Sequence, residues 1–266
     1  MLRLENPLSS DMNVLRPSLL PGLLDSLRRN LHHQTHDVRS FEIGRVFSGS
    51  GGETREERCV AIAITGNRNS AFWSGEEREA KSDIYDLKGI VEELFDQLGV
   101  RGVQWNRNAE SNALYLESAT IVIGKHPAGE IGQLNPITAR KYDLRDPVLL
   151  AEFNLDFLLS RRSLSKSFES LAAFPSVRRD VAMLVADDIS HDRVLSVIKQ
   201  TKAPNLESVE LFDIFRGKNV QAGQKSAAYA FTYRNSERTL TEAEVNSAHD
   251  RLVEQLKSQL NATIRS

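Results

Sequence analysis

The chain has 266 residues, 40% of them apolar and 26% charged, the balance of a soluble globular protein with length enough for two domains. A net charge of −2 supplies no general field toward nucleic acid or membrane, so any RNA contact must rest on a local patch. No stretch reaches the ~18 apolar residues of a membrane span, the opening "MLRLENPLSS" lacks the apolar region of a signal peptide, and a cysteine count of 1 excludes an internal disulfide and fits a reducing cytoplasm.

Leu19, Leu20, Leu23, Leu24, Leu27 and Leu31 recur near a 3.6-residue period, which predicts an amphipathic helix starting near Pro21. "DVRSFEIGRVF" follows as a strand. "SGSGGETREE" reads as a long Gly- and charge-rich turn, and "RCVAIAITG" as the returning strand of a hairpin. Cys59, inside that second strand, is expected to be a buried, inert thiol. "SDIYDLKGIVEELFDQLGV" predicts another helix, with Ser82 or Asp83 as its cap and Gly99 past its end. Short strands are expected at "ALYLESATIVIG", "GEIGQLN" and "PVLLAEFNLDFLL", with a helix at "NPITARKYDL". This part is α+β on a mainly antiparallel sheet.

"SRRSLSKSFESLAAFPS" is polar, Ser-rich and basic, and suits a linker. Beyond it "RRDVAMLV" is a strand, "SHDRVLSVIKQTK" a helix capped by Ser190, and "LESVELFDIFRG" and "KSAAYAFTYR" are strands. "TLTEAEVNSAHDRLVEQLKSQL" is a helix opened by a capping box of Thr241 and Glu244, and "NATIRS" closes as a short strand. The order β-α-β-β-α-β is that of a ferredoxin-like split βαβ domain.

Few residues offer chemistry. Arg39 can grip a phosphate with its planar fork, and Glu42 can orient it; the structural reading is favoured, in which Arg39 pairs with a carboxylate across the sheet and Glu42 satisfies backbone or a partner chain. The His32–His36 spacing would place two imidazoles on one helix face, but no third ligand is evident, so no metal site is expected. No Ser/His/Asp triad and no P-loop occur. In the last domain Arg178, Arg179, Arg216 and Arg234 sit at strand ends and loops, where cations can reach phosphates or bases. Tyr229, Phe231 and Tyr233 alternate and so share one face. Ala228, Ala230 and Thr232 on the other face would make a poor core. The aromatic row is therefore expected to pack on the helices, leaving an open face of Ala, Thr and Arg234.

"NPLSSDMNVLRPSLLPGLLDSLRRNL", "DVRSFEIGRVF", "DLKG" and "FPSVRRDVAMLV…SVELFDIFRG…KSAAYAFTYR…RTLTEAEV" resemble, in order and over nearly the whole chain, the C-terminal part of the β subunits of bacterial phenylalanyl-tRNA synthetases. The resemblance implies a truncated catalytic-like domain of class II synthetase type over residues 1–165 and a ferredoxin-fold anticodon-binding domain over 166–266. It implies an α-subunit partner in a heterotetramer, phenylalanine tRNA as ligand, and a full synthetase that uses ATP and magnesium, with no cofactor in this chain. Arg39 and Glu42 match the Arg-x-x-Glu spacing of a class II signature. The Gly-rich strand that brings a second arginine to ATP is replaced by "LLAEFNLDFLLSRR", where Phe153, Leu155 and Phe157 fill the space. The motif is therefore degenerate, and no catalytic residue is expected. The modules that precede this segment in the family have no counterpart here, so a C-terminal segment of the subunit is expected. The alternative is a free-standing RNA-binding or interaction protein built from these domains.

Overall fold

In the computed structural model the leucine stripe becomes α1 (Leu20–His32), which buries Leu20, Leu23, Leu24 and Leu27. The structure describes the chain apart from residues 1, 8, 10–12, 51–52, 70–72, 74–78, 164–171, 218–219 and 266. The chain divides into two compact units, Met1–Ser167 and Phe168–Ser266. The expected boundary between residues 165 and 166, and the centre of the expected linker, lie outside the described residues.

The first unit continues through β1 (Val38–Ser50), β2 (Glu53–Thr65), α2 (Ile84–Gln97), β3 (Val103–Asn108), β4 (Tyr115–Ile123), β5 (His126–Leu134), α3 (Pro136–Lys141), β6 (Val148–Asn154) and α4 (Leu155–Arg161). Its strands form one sheet in the order β1-β2-β6-β5-β4-β3, antiparallel at every pairing. Alternation along the strands gives the sheet two apolar faces. One packs the α1 leucines with Ala61, Tyr115 and Leu150. The other packs Leu87, Val91 and Phe95 of α2 and Leu158 of α4 against Ile62, Ile64, Ile131 and Phe153.

Two expectations fail here for clear reasons. The charged stretch at 48–57 is not a long turn, because β1 runs to Ser50 and β2 starts at Glu53. Glu56 pairs instead with Arg45 at 2.6 Å, diagonally across the two strands, and such cross-strand opposite charges help hold an exposed ribbon together. The strand expected over "PVLLAEFNLDFLL" stops at Asn154, whose side-chain oxygen accepts from Phe157 N at 2.8 Å and starts α4. Leu155 and Phe157 are therefore helical. Asp83 caps α2 in a reciprocal box with Asp86. Gly99 follows at φ +68°, with the Ser163 carbonyl where a Cβ would stand, so no other residue fits.

The second unit has the order β7 (Val177–Ala186), α5 (His191–Thr201), β8 (Leu206–Phe215), β9 (Gln224–Tyr233), α6 (Glu242–Leu260) and β10 (Thr263–Arg265). The sheet order is β10-β7-β9-β8, the expected ferredoxin-like arrangement. Ser190 caps α5, and Thr241 with Glu244 forms the box that opens α6. Tyr229, Phe231 and Tyr233 lie in the core with Val194 of α5 and Leu252 of α6. The two tyrosine hydroxyls are not stranded: Tyr229 meets His191 Nδ1 at 3.0 Å and Tyr233 meets His249 Nδ1 at 3.1 Å. The helices therefore cover one face of this sheet, and the opposite face carries the side chains that alternate with the aromatic row.

Candidate nucleic-acid interface

Arg39 and Glu42 do not form one grip. Arg39 stands opposite Ile64 and Glu42 opposite Ala61, residues that belong to different cores. Three steps along a strand reverse the face, so Glu42 cannot orient Arg39. On the α2 side, Arg39 Nη2 donates to the Arg68 carbonyl. Arg68 in turn reaches Asp83 at 2.6 Å and Asp86 at 3.0 Å. Burial acts to raise the Asp86 carboxyl, but the Asp83 N–H, the Arg68 hydrogen bond and the charges of Arg68 and Arg39 hold it below its ordinary value. On the α1 side, Glu42 accepts from Arg16 Nη1 at 2.7 Å, and Arg16 Nε donates to the Arg45 carbonyl at 2.9 Å. Gly44 lets Arg16 pass, since a Cβ there would meet the guanidinium and Leu19. Both residues of the phosphate-gripping signature are thus engaged in local structure.

Other cations and histidines of this unit are equally local. Lys88 of "DLKG" pairs with Glu92 at 2.6 Å and lies over the Trp105 ring at 5.1 Å. Arg161, at the end of α4, lies over Phe157 at 5.4 Å. α1 ends at His32, which contacts Asp143 at 3.3 Å; His36 lies beyond the helix, so the two imidazoles do not share a helical face. Among the described residues His, Cys, Asp and Glu nowhere gather in threes, as a metal would need. Cys59 is buried, and burial first, then the charges of Glu152, Glu57 and Asp156, push its thiol up to about 11, far from a reactive thiolate. No described helix is long and apolar enough to cross a membrane.

In the second unit the pairing of strands lays out the helix-free face in rows. Arg178, Thr232 and Ser208 form one row, Asp180, Ala230 and Glu210 the next, and Ala182, Ala228 and Asp213 the third. A register shift between Leu211 and Asp213 leaves Phe212 beside these rows, 48% exposed. The Arg178 guanidinium sits over the Phe212 ring, 5.6 Å from its centroid. Asp180 accepts from Arg178 Nε at 2.9 Å, and Glu210 lies 3.8 Å from Nη1. Hydrogen bonding to Asp180 is the largest influence that holds the Arg178 charge in place. The alanines at the centre are covered by their neighbours, so the exposed Phe212 ring and the planar Arg178 cation are the surface on which an unpaired base can lie. The open face is thus richer than expected, because β8 contributes Phe212, Phe215 and acidic groups to the Ala, Thr and Arg234 read from β9. Strand alternation carried the signal: with Val209 and Leu211 turned toward the core, Phe212 must point outward.

The four arginines do not act from one rim. Arg178 and Arg179 are consecutive on β7 and point to opposite faces, and Arg179 reaches Asn246 on α6 at 3.2 Å. Arg234 follows the end of β9 near Arg178 and lies 3.4 Å from Glu207, an ion pair without hydrogen-bond geometry. Arg216 pairs with Asp187 at 2.8 Å at the other end of the sheet, past the pairing of Phe215 with Ser226.

Residues 1–155 match the family described as the phenylalanyl tRNA synthetase beta chain CLM domain, and residues 172–265 match the ferredoxin-fold anticodon binding domain. The chain is 34% identical over 99% of its length to the phenylalanine–tRNA ligase beta subunit of Clostridium acetobutylicum, of which it covers 32%. It is 36% identical over its full length to the corresponding subunit of Symbiobacterium thermophilum, of which it covers 30%. The chain therefore spans about a third of the length of these relatives. A crystal structure of pyrrolysyl-tRNA synthetase from Desulfitobacterium hafniense superposes with a TM-score of 0.42 at 21% identity, covering 54% of this chain and 48% of that one.

Proposed function

The chain belongs to the phenylalanyl tRNA synthetase beta chain family, and from that premise we propose that it is a non-catalytic segment of a cytoplasmic phenylalanine–tRNA ligase. Its second unit binds the anticodon region of phenylalanine tRNA, and its first unit is a scaffold for the α subunit in a heterotetramer. ATP and magnesium are used by the full synthetase rather than by this chain. The observation that carries the RNA-binding part is the helix-free face on which Arg178 lies over the half-exposed Phe212. The non-catalytic part is supported by Arg39 and Glu42, which are turned to opposite faces and bonded to Arg68 and Arg16.

Arg178 and Arg179 separate the faces. Arg178→Ala is expected to weaken tRNA binding and to lower the slope of log affinity against log salt by about one, because one phosphate contact is lost. Arg179→Ala, on the helix side, leaves the slope nearly unchanged. Equal slopes for Arg178→Ala and the parent remove the open face from the proposal. In the assembled synthetase, Arg39→Ala is expected to leave aminoacylation within a few-fold of the parent. A fall of ~10³ would place Arg39 in the transition state and end the non-catalytic reading.

A further inference from the structure

One end of the first-unit sheet gathers cations from three segments of the chain. The turn from β4 to β5 is two residues long, since Ile123 pairs with His126 and leaves Gly124 and Lys125 between them. Val103 opens β3 opposite Ile123, so Arg101, two residues earlier, stands at the same end of the sheet as that turn. α4 ends there as well. The Ser163 N–H donates to the Leu98 carbonyl at 3.2 Å, which brings the end of α4, with Arg161 and Arg162, to the segment that leads into Arg101. The His126 ring meets the Phe157 ring of α4 edge-on at 6.0 Å, and Arg161 lies over that same ring at 5.4 Å.

Arg101, Lys125, His126, Arg161 and Arg162 are all exposed. Among the described residues, Arg101, Lys125, Arg161 and Arg162 form no ion pair. Elsewhere in the unit Arg16, Arg45, Arg58, Arg68 and Lys88 each hold a carboxylate. Asp156, in the first turn of α4, is taken by Arg58. That leaves Asp96, in the last turn of α2, against four positive charges. A helix C-terminus favours a cation, which accounts for Arg161. Arg101 and Lys125 belong to no helix, so the dipole gives no reason for them. Like charges held together repel one another unless something of opposite charge covers them.

The chemistry of the patch selects its partner. Guanidinium forks and an ammonium suit phosphate oxygens. A guanidinium over an aromatic ring, with an imidazole beside it, is also a surface on which an unpaired base can stack. RNA supplies both groups. A bilayer supplies phosphates without bases, and an acidic peptide supplies neither. We infer that this end of the first unit is a second RNA-binding surface, on which Arg101, Lys125, Arg161 and Arg162 take backbone phosphates of tRNA. The inference rests on the tRNA-binding reading above, but it uses no residue of the second unit.

The test is tRNA binding to the 266-residue chain, read by fluorescence anisotropy across a salt series. Lys125→Gln, Arg161→Gln and Arg162→Gln combined are expected to weaken binding about tenfold at low salt and to lower the slope of log affinity against log salt by ~2–3, since each phosphate contact contributes ~0.7–0.9. Arg101→Gln alone is expected to lower the slope by about one. Arg140→Gln, Lys141→Gln and Arg145→Gln combined remove the same charge from exposed positions around the end of α3, and are expected to leave the slope within ~0.5 of the parent. All these side chains are exposed, so folding is expected to survive, and circular dichroism checks it. An unchanged slope in the first triple variant, or an equal fall in both triples, overturns the surface. If Arg178→Ala lowers the slope and the first triple does not, this inference alone fails; if neither lowers it, the tRNA-binding reading fails with it. Vesicles of phosphatidylserine and phosphatidylcholine that bind the parent but not the first triple, with the tRNA slope unchanged, give the patch to a membrane and overturn it as well.

Discussion

Replacing Phe212 by alanine in the full subunit is expected to weaken tRNA binding about 10- to 100-fold, because stacking of one base on an aromatic ring contributes ~1–3 kcal/mol. The ring is 48% exposed on β8, an edge strand, so its loss leaves only a small change in stability. Phe212→Ala also removes the surface on which Arg178 rests, which loosens that guanidinium. The cation itself stays, held by Asp180 at 2.9 Å, so the salt slope should move little while affinity falls. Arg178→Ala should do the reverse, lowering the slope with a smaller loss at high salt. Phe212→Trp should keep or improve binding. Filter binding or fluorescence anisotropy across a salt series reads all three variants. An unchanged affinity for Phe212→Ala would show that no base lies on that ring.

Much of this architecture is legible from residue order. The leucine stripe of α1, the capping boxes of α2 and α6 and the aromatic row of β9 are local patterns, each set by residues within a few positions of one another. The errors have physical sources. β3 (Val103–Asn108) is an edge strand in which Trp105 alternates with polar residues, so it lacks an apolar run to announce it. The β1–β2 ribbon projects beyond the core, and its charged residues resemble a loop because a pair such as Arg45–Glu56 joins two strands and is invisible along either one. The Arg-x-x-Glu spacing suggested cooperation, yet strand alternation alone sends residues three apart to opposite faces. The same rule separates Arg178 from Arg179.

The sites differ in the same way. Phe212 could be found by following alternation through β8, since its inward neighbours are close by in sequence. The pairing of Arg39 with the Arg68 carbonyl and of Glu42 with Arg16 could not, because each contact joins segments far apart in the chain. Arg39 ties β1 to the segment before α2, and Glu42 ties β1 to the segment before α1. Arg39 and Glu42 are two separate braces, one on each face of the sheet.

Glu152→Ala is expected to destabilise the first unit by about 2–4 kcal/mol, since it strands buried donors and removes a helix cap. Leu19 stands at the N-cap of α1 and has no side chain to accept a hydrogen bond. Glu152, on β6, supplies the acceptor: its Oε1 takes Leu19 N at 2.6 Å and Ser18 Oγ at 3.1 Å. Ser18 Oγ then accepts from Leu20 N at 3.1 Å. Burial raises the Glu152 carboxyl above its ordinary value and outweighs the lowering by the Leu19 N–H, Ser18 and the Arg16 charge. The sign follows from linkage. The folded chain holds this proton more tightly than the unfolded chain, so ionisation of Glu152 costs stability as pH rises through the unfolded value near ~4.3. Glu152→Gln keeps an acceptor for Leu19 N and never ionises. The parent should therefore lose ground to Glu152→Gln between pH 4 and pH 7 (chosen to bracket ~4.3), while both remain more stable than Glu152→Ala. Urea unfolding followed by tryptophan emission reports on the first unit, because Trp73 and Trp105 both belong to it. A Glu152→Ala chain within ~0.5 kcal/mol of the parent rules out the cap, and a gap to Glu152→Gln that moves the other way with pH rules out burial as the dominant influence on Glu152.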